Sequence, residues 1–189
     1  IELIGPGFQL IGPNRAMVTD EVRQWMCCTV KPEGEQVVLS NGLRLTSNPV
    51  VGTFGNAPAG EPTNLPNRLG GNCDSPVVKA GTTLYLPIEV PGALFGLGDV
   101  HALQGDGEVV GAPEISARVR VRIDLKAKTH AHWVMVEDAA CWYTLAAGEN
   151  ECVAAKAAVF QNAAFLCTLY NIELKDALIL LTLLGKISL

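Results

Sequence analysis

Apolar and polar positions alternate without a break in ARVRVRIDL: Val119, Val121, Ile123 and Leu125 fall on one side, Arg118, Arg120, Arg122 and Asp124 on the other. A period of two is that of a β-strand, and this pattern predicts a half-buried antiparallel strand with its arginine row in solvent. Upstream, EQVVLSNGLRLTS places two apolar runs around Asn41-Gly42, a strong hairpin signal. TTLYLPIEV reads as a strand whose Pro87 confines it to an edge or a bulge. Pro, Gly and Asn dominate from Gly55 to Pro76, which predicts loop. HWVMVEDAACWYTLA again looks strand-like. From Glu149 the period lengthens. Val153, Ala157, Phe160, Ala164 and Cys167 recur at steps of four and three, the core-facing stripe of an amphipathic helix. Asn171 is the expected N-cap of a second helix, IELKDALILLTLLG, with Gly185 as its stop. That helix is apolar nearly all round and is expected to be buried.

These elements predict an α+β fold, mainly β. A barrel- or sandwich-like portion, residues 1–115, carries glycine-rich polar loops; a smaller α/β portion, residues 116–189, ends in two helices. With 189 residues, 49% of them hydrophobic and 17% charged, the chain has material for a sizeable core. A net charge of −5 without a basic stripe speaks against nucleic acid as a partner. The longest apolar run, around Ala177 to Leu184, falls short of a bilayer's width, so no membrane span is expected. The start at Ile1 shows no basic leader. Six cysteines form no CxxC pair. They read as reduced thiols of a cytoplasmic protein, with Cys152 and Cys167 as small core residues.

The candidate chemistry lies in FGLGDVHALQGDGEVVG, which packs Asp99, His101, Gln104, Asp106 and Glu108 among glycines, directly after an apolar stretch. In an extended chain Asp99 and His101 share a face, which sets a carboxylate beside an imidazole, a ligand pair for zinc or another divalent ion. Asp74, in RLGGNCD, is the natural third ligand. From spacing alone, ordinary hydrogen bonding of a loop histidine is the better reading of a D-x-H step. The oxygen-rich loop lacks the spacing of an EF-hand. His130 and His132 form an H-x-H step that reads as polar residues leading into Trp133. Cys73 has no basic neighbour to activate it as a nucleophile. There is no G-x-S-x-G elbow, and no helix follows GTFG or GLG as a dinucleotide fingerprint requires.

Several phrases, in order, resemble the acetamidase/formamidase family. NPVVGTFGNAPAG is similar to its P-x-x-G-x-x-G-x-A-P segment, LGGNCD to its H-G-G-N-M-D, and AGTTLYLPIEVPGALFGLGDVHALQGDGEVVG to its longest signature. The resemblance is clear over residues 48–111. It implies hydrolysis of small amides, formamide or acetamide, to ammonia and a carboxylate, by a β-rich oligomer or a chain paired with a second one. By position it implies Asp74, Asp99 and His101 as ligands of a divalent metal, zinc or calcium, and Glu108 as general base or acid. It makes Asn72 a donor to the developing oxyanion, and sets Gly71, Gln104 and Gly105 at the substrate. The chain departs from the pattern at Leu69, where the family has His, at Cys73, where it has Met, and at Glu114, one place out of register. Family members are also expected to carry more chain upstream. The alternative is a non-catalytic relative, or a fragment, that keeps the scaffold and binds a metal or small ligand.

Overall fold

The computed structural model describes residues 1–11, 26–57, 64–127 and 131–188. His130 lies outside them. The fold is α+β and mainly β, and it divides into two compact units that interleave along the chain.

The first unit comprises Ile1–Gly52, Asp74–Ala80 and Gly98–Arg122. Its sheet is built from β1 (Glu2–Ile11), β2 (Met26–Glu33), β3 (Gln36–Leu39), β4 (Arg44–Thr46), the start of β5 (Val50–Gly55), the end of β8 (Gly96–His101) and β9 (Glu114–Arg118). The strands lie in the order β4-β3-β2-β1-β9-β8-β5. Val30, Val37, Val50, Val100, Ala102 and Ile115 form its core. The Asn-Gly hairpin forms as expected. Gly42 takes φ 88°, and Leu43 N–H donates to Asn41 Oδ1 at 3.1 Å across the β3–β4 turn.

The half-buried strand expected over ARVRVRIDL is not there. β9 stops at Arg118, whose rung with Glu2 is the last of the β1–β9 ladder, and Val121, Ile123 and Leu125 are exposed. Alternation makes a segment competent to be a strand, but a strand exists only where a neighbour takes up its backbone hydrogen bonds. The arginine side does face solvent, and Arg118 pairs there with Glu2 at 2.8 Å.

The second unit comprises Thr53–Cys73, Gly81–Leu97 and Ile123–Leu189. The end of β5 pairs with β6 (Gly70–Asn72). A separate sheet runs β11-β10-β7, with β7 at Thr83–Tyr85, β10 at Val134–Glu137 and β11 at Trp142–Leu145. β7 is an edge strand, but it is shorter than expected: it ends at Tyr85, so Pro87, which has no N–H to give a ladder, lies outside it.

Helix α1 (Glu151–Tyr170) starts at Asn150, whose side chain accepts from Val153 N–H. Its buried residues are Gln161 and Ala163, whereas Val153, Phe160 and Ala164 of the expected stripe are exposed. The helix is apolar on most sides, so periodicity does not select a face. The sheet does, through Phe165 stacked on Trp142 at 4.5 Å and Gln161 accepting from the N–H of His132 at 2.8 Å. By length and composition α1 is also long and apolar enough to cross a bilayer, contrary to the expectation from sequence; its contacts with β10 and β11 account for it as a helix laid on a sheet.

Asn171 caps the C-terminus of α1 in the left-handed region, φ 53°, rather than the N-terminus of α2 (Leu174–Leu184). Asparagine suits both places, and two residues of chain separate it from Leu174. Gly185 ends α2 as expected. α2 is not buried: Ala177 is, but Ile179, Leu183 and Leu184 are exposed. Cys152 is exposed and Cys167 half-buried, so neither is a core side chain.

Candidate metal centre

The polar loop converges within the first unit. β8 carries Asp99 and His101, and the chain after β6 carries Asp74, held to β5 by a hydrogen bond from Asp74 N–H to the Gly52 carbonyl at 3.1 Å. The ligand atoms of Asp74, Asp99 and His101 all lie within 4.8 Å of one another. His101 is buried, at 2% exposure, and the carboxylates are partly so. Asp99 and His101 share a side as an extended chain dictates, although Asp99 itself stands at φ 57°.

Positive φ outside glycine is uncommon and costs about 1–3 kcal/mol per residue. Six described residues carry it, and three are the carboxylates of this cluster: Asp74 at 42°, Asp99 at 57° and Glu108 at 41°. At each of these three positions the backbone leaves the usual negative-φ conformation, Asp99 within β8 itself.

Glu108 closes the cluster. Its Oε1 accepts from Ala112 N–H at 3.0 Å, and its side chain is hydrogen-bonded to Asp74. Burial first, then the charge of Glu108, push the Asp74 carboxyl up to about 6, while His101 pulls the other way. Gln104 reaches over both ligand segments. Its Nε2 donates to the Asp74 carbonyl and its Oε1 lies 2.7 Å from His101 Nδ1.

Space for this cluster depends on Gly52, a residue that sequence reasoning missed. A Cβ there would stand 2.5 Å from Asp74 Oδ1, 2.8 Å from His101 Cε1 and 2.9 Å from Asp99 Oδ2. Gly52 has no positive φ, so turn rules do not flag it. Only the meeting of three other segments makes its missing side chain matter. Two carboxylates, an imidazole and a cradle that one methyl group would fill suit a divalent cation.

Of the other expected site residues, Gly105 lies in the exposed turn where its carbonyl accepts from Glu108 N–H at 3.4 Å. Gly71 and Asn72 belong to the second unit. Gly71 is buried at φ 107°, with the Leu65 carbonyl where a Cβ would go. Asn72 Oδ1 accepts from the Thr53 hydroxyl. Leu69, where the resembled family has histidine, is a core residue of that unit at 5% exposure. His132, exposed, is not part of the acidic cluster.

The family model described as "Acetamidase/Formamidase family" matches residues 29–142, more than half of the chain. A formamidase of Methylophilus methylotrophus is 35% identical over 71 residues, 36% of this chain and 17% of that protein. An acetamidase of Mycolicibacterium smegmatis is 37% identical over 68 residues, 35% of this chain and 17% of its own length. Among solved structures, an acetamidase from Bacillus halodurans superposes with a TM-score of 0.88 at 34% identity, over 96% of this chain and 63% of that one. The chain thus spans less than two thirds of that acetamidase.

Proposed function

The chain belongs to the acetamidase/formamidase family, and from that premise we propose that it hydrolyses small linear amides of the formamide or acetamide type to ammonia and a carboxylate, with a divalent metal held by Asp74, Asp99 and His101. The observation that carries this reading is the meeting of those three ligands with the Glu108 carboxyl. Zinc and calcium are our candidate ions: the imidazole suits zinc, the carboxylate oxygens suit either.

An amide resists water because its carbonyl is deactivated by the nitrogen and its amine leaves poorly. The chemistry a divalent ion supplies is Lewis acidity, which polarises a carbonyl and lowers the pKa of a water to about 7. Glu108 takes the proton of the attacking water as the C–O bond forms. It then returns a proton to the amide nitrogen as the C–N bond breaks, general base and then general acid on one carboxyl. The Ala112 N–H fixes that carboxyl by one oxygen. Asn72 enters through the sequence, as an amide donor for the developing oxyanion two residues before Asp74. The free thiols Cys141, Cys152 and Cys167 support a cytoplasmic location. The exposed apolar residues of α2 support assembly as a homo-oligomer.

A second reading, a relative that binds metal without turning over amides, is favoured by Leu69 in the place of the family's histidine. Ammonia release from formamide and acetamide separates the two. We expect turnover that a chelator abolishes and that Glu108→Gln lowers by about 10²–10⁴-fold. Stoichiometric metal with no ammonia from either substrate would establish the second reading instead.

A further inference from the structure

Gln104 stands between the two segments that carry the ligands, and both ends of its amide are engaged. The Asp74 carbonyl can only accept, so the amide NH2 faces it and the amide oxygen faces the imidazole. An amide oxygen has no proton to give. Nδ1 of His101 therefore carries the ring hydrogen and donates it to Gln104 Oε1 at 2.7 Å. Nε2, bearing the lone pair, is left facing Asp99 Oδ1 at 3.2 Å and Asp74 Oδ1 at 3.8 Å. The hydrogen bond to Gln104 holds this tautomer in the metal-free chain, and a cation lodged between Nε2 and the two carboxylates satisfies all three. In the other tautomer Nε2–H would donate to Asp99 and could not bind a metal.

We propose that Gln104 is the positioning residue of this centre: it selects the Nδ1–H tautomer of His101 and, through the Asp74 carbonyl, sets the spacing of the two ligand segments. This rests on the metal reading above and goes beyond it, since it gives Gln104 a role in ordering the protein rather than in holding substrate. Outer-shell partners of ligating histidines commonly set ring orientation in this way, and their loss weakens metal binding by about 10–100-fold.

The test uses the full chain and two readouts. The first is the long-range ¹H–¹⁵N correlation spectrum of the imidazoles in metal-free protein, at a pH where the rings are neutral, with the His101 signals identified by their loss in His101→Gln. Wild type is expected to show His101 as Nδ1–H. Gln104→Met should admit the Nε2–H form, and Gln104→Glu, which can still accept from Nδ1, should keep Nδ1–H. The second readout is zinc affinity by competition with a chromophoric chelator. We expect a loss of about 10–100-fold in Gln104→Met and an intermediate loss in Gln104→Glu, which lacks the donor to Asp74. An unchanged tautomer in Gln104→Met, or unchanged zinc affinity there, overturns the proposal. If Gln104→Met does not fold, Gln104→Glu decides alone: Nε2–H in that variant, or affinity equal to wild type, overturns it. If wild type takes up neither zinc nor calcium, the metal reading fails, and the tautomer spectrum still decides whether Gln104 orients the ring.

Discussion

At the scale of single residues, the centre is held by what is absent as much as by what is present. Gly52 leaves room for the three side chains proposed as ligands, and a methyl group there would overlap all of them. Gly52→Ala is expected to abolish metal uptake while the chain stays folded, measured by elemental analysis beside circular dichroism; full metal content would remove Gly52 from the site. Asp74 makes the centre pH-dependent. Its pKa is raised from 3.8 to about 6, so between those values the folded chain binds more protons than the unfolded one, and metal-free stability falls as pH rises through that window. The proposed metal binding runs the other way, because a carboxylate ligand must be ionised: affinity should fall as pH drops through about 6. Thermal unfolding of metal-free wild type against Asp74→Asn checks the first sign, since only wild type should lose stability from this source. Isothermal titration across the same range checks the second.

At the scale of elements, α1 is held to its sheet by a polar residue inside an apolar helix. Gln161 is buried at 5% exposure and its Oε1 accepts from the N–H groups of His132 at 2.8 Å and Trp133 at 3.3 Å. Its Nε2 also contacts Met135 Sδ at 3.5 Å. Gln161→Leu keeps the volume and removes the acceptor, so it should lower unfolding stability by about 1–3 kcal/mol. A denaturant midpoint unchanged from wild type would show that water serves those N–H groups instead. The expected stripe Val153, Ala157, Phe160, Ala164 and Cys167 gave no hint of this anchor, because a hydrophobic period cannot mark a glutamine. Asn171 shows a similar ambiguity, as one residue type caps either end of a helix. The Asn41-Gly42 hairpin was legible because its turn chemistry is local: Gly42 alone supplies the left-handed backbone.

At the scale of the whole molecule, the apolar surface asks for cover. Leu183 and Leu184 are 71% and 83% exposed, and Phe160, Leu169 and Ile179 are exposed as well. Large exposed apolar side chains, where they gather, favour protein contacts, and these residues are the proposed subunit contact. Light scattering behind size-exclusion is expected to return a multiple of the 20.0 kDa chain. Leu183→Glu with Leu184→Glu should shift it toward a single chain; a single chain for wild type would reject the oligomer.

The amino-acid sequence by itself determined whatever depends on neighbours along the chain: the hairpin at Asn41-Gly42, the stop of α2 at Gly185, and the pairing of Asp99 with His101 on one side of β8. It also carried the family, through phrases long enough to be specific. The tertiary structure decided what depends on who lies opposite. It ended β9 at Arg118 because the ladder with β1 ends there, and it turned Gln161 inward on α1. It set Gly52 beneath the ligands and bent Asp74, Asp99 and Glu108 into positive φ. Local steric and hydrogen-bonding preferences are written in short stretches of chain. The partner a strand finds, the face a helix buries and the room a cation needs arise only where distant segments meet.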